Sequence, residues 1–213
     1  MNWFYGFVKW TLFLIFKIFY RLKIYGKEHI VKKGVLICPN HTSYFDPPII
    51  AACWPHETHF LARVGPFHIP ILASLIKKLN AHPIDDNQTN LSSVKMVGSL
   101  LKQHKQVAIF PEGARSFDGE LTTLKQGVGM FAIRYQCPIV PVYITGAYQV
   151  FKRGSKFPKP WGKITCVFGS PISPTKYASM HKKQAQQAIT QELQKSIAQL
   201  KIWLENGAEG SPP

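Results

Sequence analysis

Short apolar runs rich in β-branched residues, alternating with stretches of helical spacing, constrain this chain more than any other feature. The runs are GVLIC (34–38), HFLAR (59–63), QVAIF (106–110), PIVPVYI (138–144) and KITCVFG (163–169). Their lengths and bounding turn residues read as strands. Between them PPIIAACW, IPILASLIKKL, NLSSVKMVGSLLKQH and GVGMFAIRYQ carry helical spacing. A last helix is expected from near Ser179 to about Glu205, with Ala188, Ile189, Leu193, Ile197, Leu200 and Trp203 recurring at threes and fours. Strands that alternate with helices build an α/β domain, here a largely parallel or mixed sheet flanked by helices.

The opening MNWFYGFVKWTLFLIFKIFYRLK holds nine aromatics in its first twenty residues. Lys9 and Lys17 interrupt it, so it falls short of the ~20 consecutive apolar residues of a spanning helix. On a helix Lys9 and Lys17 fall within about 80° of each other and Lys23 on the same broad side, which leaves a wide aromatic face. Such a segment suits lying in a membrane interface, where Trp3, Tyr5, Trp10 and Tyr20 are favoured rings. A secretory leader would end in small residues at a cleavage site, whereas this segment runs into IYGKEH. The expected division is a membrane-anchoring helical segment over residues 1–24, a single α/β domain over 25–205 and a flexible tail over 206–213.

A length of 213 residues suits one sizeable domain, and a net charge of +15, from 26 Lys and Arg against 11 Asp and Glu, restricts partners to anionic ones. The basic residues are spread over helices and loops rather than interleaved with aromatics on one strand face, which argues against nucleic acid. Cys38, Cys53, Cys137 and Cys166 form no C-x-x-C pair and read as free thiols. His56 and His59 are three apart beside Pro55, so HETH lacks the two-histidine helical spacing of a zinc protease, and no metal site is expected. KQGVGMFA contains a formal G-x-G-x-x-A but follows no strand and has no acidic partner downstream, which excludes a dinucleotide fingerprint.

Ligands of open parallel sheets gather beyond the carboxyl ends of the strands. At the end of the first run stands PNHTSYFDPP, with His41 and Asp46 in one short segment. Were that segment helical, the two would lie about 140° apart. Pro47 and Pro48 disfavour helix just before them, so a loop is expected, with Asp46 placed to cap a helix starting at Pro47. A loop can also fold the carboxylate onto an imidazole nitrogen, fix the tautomer and leave His41 as a general base for a hydroxyl nucleophile. A plain helix cap and a polar loop histidine would account for the same residues. At the end of the third run stands FPEGARS. There Arg115 offers a planar fork suited to phosphate, Gly113 lets backbone amides approach an anion, and Glu112 can hold that arginine or accept from a substrate hydroxyl.

NHTSYFD, then FPEGARS, then IVPVYITG (139–146) resembles the glycerolipid acyltransferase family that includes the 1-acylglycerol-3-phosphate acyltransferases. The likeness covers roughly residues 25 to 170 and extends to the hydrophobic N-terminal segment. It implies that His41 and Asp46 are catalytic, with Asp46 orienting the imidazole, and that Glu112, Gly113, Arg115 and Ser116 bind the acceptor. It further implies a lysophosphatidate acceptor, an acyl-CoA or acyl carrier protein thioester as co-substrate with no other cofactor, membrane lipids as partners, and a membrane-associated site on the cytoplasmic face. Another lysophospholipid or glycerol phosphate could replace that acceptor, and a non-catalytic basic membrane-binding protein is the rival class. One departure stands out: Asp86 in HPIDDNQTN occupies the place where the family's second motif carries an arginine, so Lys77, Lys78 or Arg63 is expected to supply the missing charge, or the acceptor differs.

Overall fold

The computed structural model describes residues 2–84 and 91–213, so Asp86 lies outside the described residues. Within them the strands are β1 (Lys23–Tyr25), β2 (Val35–Pro39), β3 (Thr58–Arg63), β4 (Ala81–Ile84), β5 (Gln106–Ala108), β6 (Ile139–Thr145) and β7 (Thr165–Phe168). They form one sheet in the order β1-β7-β6-β2-β5-β3-β4, parallel at every neighbouring pair except β6 and β7. The helices are α1 (Trp3–Phe19), α2 (Asp46–Cys53), α3 (Pro70–Lys78), α4 (Leu91–Lys102), α5 (Gly127–Tyr135), α6 (Ala147–Phe151) and α7 (Lys182–Glu205). The protein is thus α/β with a mostly parallel sheet flanked by helices.

Each expected run contains a strand, while β1 and β4 appear in addition, at the two edges of the sheet. An edge strand needs one row of partners only, so the missing amide of Pro83 in β4 costs little there. The central β2 is buried at all five positions, and its side chains alternate between two cores. Val35 and Ile37 pack with Phe16, Ile49 and Trp54 on one face. Leu36 and Cys38 pack with Val97, Val128 and Ile189 on the other. Burial on both faces explains why β2 reads as a continuous apolar run rather than an alternating one.

The α7 helix begins at Lys182, a few residues later than its sequence suggests, and buries Ala185, Ile189, Leu193, Ile197 and Leu200. It lies so close to α5 that a Cβ on Gly129 would sit 2.2 Å from the Gln186 carbonyl oxygen. The glycines of KQGVGMFA therefore include one that serves helix packing.

The α1 helix is docked on the domain. Tyr5 is buried and its hydroxyl accepts from the Thr58 amide at 3.1 Å, while the Tyr20 hydroxyl donates to the Lys159 carbonyl at 3.0 Å. Phe45 stands edge-on to Phe16 and Tyr20, with ring centroids 5.4 and 5.5 Å apart. Phe16, Tyr20 and Leu22 belong to the core, so the physical boundary is not at residue 24. Lys9 is half-buried, and desolvation lowers its pKa. The opposite face of α1 leaves Trp3 80%, Phe7 61%, Trp10 61% and Ile18 62% exposed. No helix among the described residues is long and apolar enough to cross a membrane.

The segment 206–213, expected to be flexible, is tied to the domain. The Ser170 amide donates to the Pro213 carbonyl at 3.0 Å, His29 Nε2 donates to the Pro212 carbonyl at 3.1 Å, and Trp203 Nε1 donates to the Glu209 carbonyl at 2.9 Å.

Candidate active site

The loop after β2 is anchored before it begins. Asn40, buried, donates through Nδ2 to the Ile144 carbonyl at 2.9 Å and accepts from the Ile144 amide at 2.7 Å. Its amide group thus continues the pairing of β2 with β6 for one more step and fixes where the loop leaves the sheet.

In that loop His41 Nδ1 lies 2.8 Å from Asp46 Oδ2. The same oxygen accepts from the Thr42 and Ser43 amides, both at 2.7 Å. Asp46 does not cap a helix from Phe45's side of the chain; it is the first residue of α2 and points back into the loop. With no exposed surface, its carboxylate is held by two backbone donors and the imidazole. A carboxylate accepts only, so His41 carries its proton on Nδ1, and Nε2 is the nitrogen that can accept one. The imidazole stacks on Phe110, with centroids 4.0 Å apart, and its side chain is 18% exposed.

The FPEGARS turn is welded to this loop. The Ser116 amide donates to the His41 carbonyl at 2.8 Å, and the His41 amide donates to Glu112 Oε1 at 2.9 Å. Glu112 Oε2 accepts from the Thr122 hydroxyl at 2.5 Å. Both carboxylate oxygens of Glu112 are therefore engaged within the protein, and it does not hold Arg115 as its sequence position suggests. Burial raises its pKa, against the opposing pull of the Thr122 and His41 hydrogen bonds. The Gly113 amide donates to the Phe110 carbonyl at 3.0 Å and is committed to the turn. The Gly113 φ of +76° lies in the left-handed region that favours glycine. The Ser116 hydroxyl donates to Asp118 at 2.7 Å and accepts from the Gly119 amide at 3.0 Å, so it closes the turn.

Arg115 is the residue of this turn that faces the loop carrying His41. Its guanidinium carbon lies 3.6 Å from the centroid of the Tyr44 ring, and its buried Nη1 has no hydrogen-bond partner among the described residues. Hydrogen bonding to Arg115, together with its charge, lowers the Tyr44 phenol pKa. A half-shielded guanidinium with an unspent donor is suited to an anion. Among the described residues no group of three or more His, Cys, Asp or Glu is arranged to hold a metal.

The chain matches the family model described as Acyltransferase over residues 21–145. The protein belongs to the acyltransferase family. It is 30% identical over 186 residues to the 1-acyl-sn-glycerol-3-phosphate acyltransferase of Bacillus subtilis (strain 168), covering 86% of this chain and 90% of that one. It is 30% identical over 154 residues to the 1-acyl-sn-glycerol-3-phosphate acyltransferase of Cocos nucifera, covering 71% of this chain but only 49% of the plant protein. The crystal structure of the 1-acyl-sn-glycerophosphate (LPA) acyltransferase PlsC from Thermotoga maritima has the same fold, with a TM-score of 0.70 at 24% identity, over 90% of this chain and 77% of that one.

In this acyltransferase the structure brings His41, Asp46, Glu112, Arg115 and Ser116 together. Sequence reasoning did not single out Asn40, Tyr44 and Thr122. Asn40 directly precedes the histidine, but its partner is 104 residues away. Tyr44 and Thr122 likewise acquire meaning only from the residues they touch.

Proposed function

We propose that this acyltransferase moves a fatty acyl group from an acyl thioester to the free hydroxyl of 1-acylglycerol 3-phosphate, forming phosphatidate. The observation that carries this reading is the His41–Asp46 pair at the end of β2, 2.8 Å apart, beside the unpartnered guanidinium nitrogen of Arg115. The names of the relatives from Bacillus subtilis and Cocos nucifera support the same acceptor.

Arg115 receives the acceptor phosphate. His41 Nε2 takes the proton of the glycerol hydroxyl as its oxygen attacks the thioester carbonyl; the C–O bond forms, the C–S bond breaks, and the imidazolium returns the proton to the departing thiolate. Asp46 keeps the proton on Nδ1 and balances the imidazolium charge. The transfer is direct, with no acyl-enzyme. Glu112 works one step back, by fixing the His41 amide, and Gly113 and Ser116 shape the turn that presents Arg115. The thioester, of coenzyme A or of acyl carrier protein, is a co-substrate, and no further cofactor takes part.

Membrane lipid is the partner surface. The exposed stripe Trp3, Phe7, Trp10 and Ile18 lies in the interface of one leaflet while the buried face of α1 holds the domain against it. The active site faces the cytoplasm, where soluble acyl thioesters are supplied. Offering purified protein 1-acylglycerol 3-phosphate, glycerol 3-phosphate and neutral lysophospholipids in mixed micelles tests the reading: phosphatidate from the first is the expected product, and its absence with either thioester sinks the proposal.

A further inference from the structure

A phosphomonoester near neutral pH carries close to two negative charges, and Arg115 supplies one. The sheet order indicates where a second comes from. Strand β2, which delivers His41, lies between β5 and β6, and β5 leads into the turn carrying Arg115. The loop of His41 is thus flanked on its other side by the chain that leaves β6 through α6 and reaches Arg153.

That chain is fastened to the same loop. The Ser43 hydroxyl donates to the Phe151 carbonyl at 2.8 Å, the Tyr44 amide donates to the same oxygen at 3.3 Å, and Ser43 and Lys152 form an isolated bridge. The Phe151 ring packs against those of Tyr44 and Phe45 at 5.0 and 5.1 Å. Arg153 then lies over Phe117, its guanidinium carbon 4.3 Å from the ring centroid. Phe117 follows Arg115 by two residues and is itself held by the Tyr148 hydroxyl, which donates to its carbonyl at 2.7 Å. Each of these two segments therefore carries an aromatic ring with a guanidinium over it, Tyr44 with Arg115 and Phe117 with Arg153. Arg153 is also among the charges that lower the Tyr44 phenol pKa, after Arg115. Among the described residues neither arginine forms an ion pair with a carboxylate. Of the residues the sequence offers for the missing charge, Lys78 lies over Phe4 of α1 at 5.6 Å, and Arg63 ends β3, two strands from β2.

We propose that Arg153 is the second phosphate-binding residue of the acceptor site, and that the Arg115–Arg153 pair selects a phosphomonoester acceptor over a phosphodiester one. This rests on the reading that the acceptor carries a phosphate. Stacking on a ring spares each guanidinium edge for hydrogen bonds, and two forks match the three terminal oxygens of a monoester better than the two of a diester.

The test compares the wild-type enzyme with Arg153→Gln and Arg153→Lys, measuring steady-state transfer to 1-acylglycerol 3-phosphate and to lysophosphatidylglycerol, a monoanionic diester. Arg153→Gln is expected to raise KM for the monoester about 10- to 100-fold, the range that lost charge-assisted hydrogen bonds span. It leaves kcat and the thioester KM within about threefold and narrows the preference for monoester over diester, and Arg153→Lys recovers part of the loss. An unchanged monoester KM in Arg153→Gln overturns the proposal while the reaction itself stands. Acceptor KM, thioester KM and Tm moving together also overturn it, in favour of a structural role. Failure of the wild-type enzyme to acylate the monoester removes the underlying reading and this proposal with it, and is seen before any variant is assayed.

Discussion

At the scale of single residues, the division of labour between Glu112 and Arg115 follows from hydrogen-bond inventory. Glu112 spends one oxygen on the His41 amide and the other on Thr122, so it acts through geometry, and its charge is not needed for those contacts. A glutamine can accept from the amide through its oxygen and donate to the Thr122 hydroxyl through its nitrogen. Glu112→Gln is therefore expected to keep kcat within about tenfold, whereas Glu112→Ala, which frees the loop, loses about 10²-fold or more, the size of effect that misplacing a catalytic group produces. Steady-state kinetics of the two variants check this; equal losses would mean that the carboxylate charge itself touches substrate. His41 and Asp46 were legible in the sequence because only a short loop separates them and the prolines after Asp46 forbid a helix between them. The partners of Glu112 were not, since they lie 71 residues back and 10 residues ahead, and one sequence holds no record of which turns meet.

At the scale of elements, the apolar runs disclosed the inner strands and missed β1 and β4, because a short edge strand has too few buried positions to leave a pattern. One consequence of β3 pairing with β4 could not have been read in advance. It sets His59 Nδ1 3.0 Å from His82 Nε2, with the rings stacked at 5.3 Å. Burial, helped by the neighbouring His82 and by Lys105 and opposed by Glu57, lowers the His59 pKa to about 4; burial lowers that of His82 as well. Both shifts have the same sign. The unfolded chain binds these protons near pH 6.5 and the folded one resists them, so the stability is complete above about 6.5 and declines as pH falls toward 4. The expected result is a Tm that drops through this interval in the wild-type protein and drops less steeply in His59→Gln. Parallel Tm profiles for the two proteins would show that the pair does not carry the effect.

At the scale of the whole molecule, the docked helix α1 joins an aromatic outer face to a basic body of net charge +15. The two contributions separate by salt. Attraction between the basic body and an anionic bilayer weakens as the screening length shortens from ~10 Å at 0.1 M to ~3 Å at 1 M, whereas burial of Trp3, Phe7 and Trp10 does not. Vesicle co-sedimentation is expected to show tighter binding to anionic than to neutral vesicles at low salt, with a residue of binding at 1 M that the triple change Trp3→Ser, Phe7→Ser, Trp10→Ser removes without lowering Tm. Retention of that salt-resistant binding in the triple variant would place the membrane contact elsewhere. The measurement that bears most directly on the whole account is phosphatidate formation from 1-acylglycerol 3-phosphate and an acyl thioester by the wild-type protein and by His41→Ala. A wild-type rate that falls by at least ~10²-fold in the variant, the lower end of what a general base contributes, with vesicle binding and Tm retained, is the predicted result. A variant that still forms phosphatidate at the wild-type rate would contradict it.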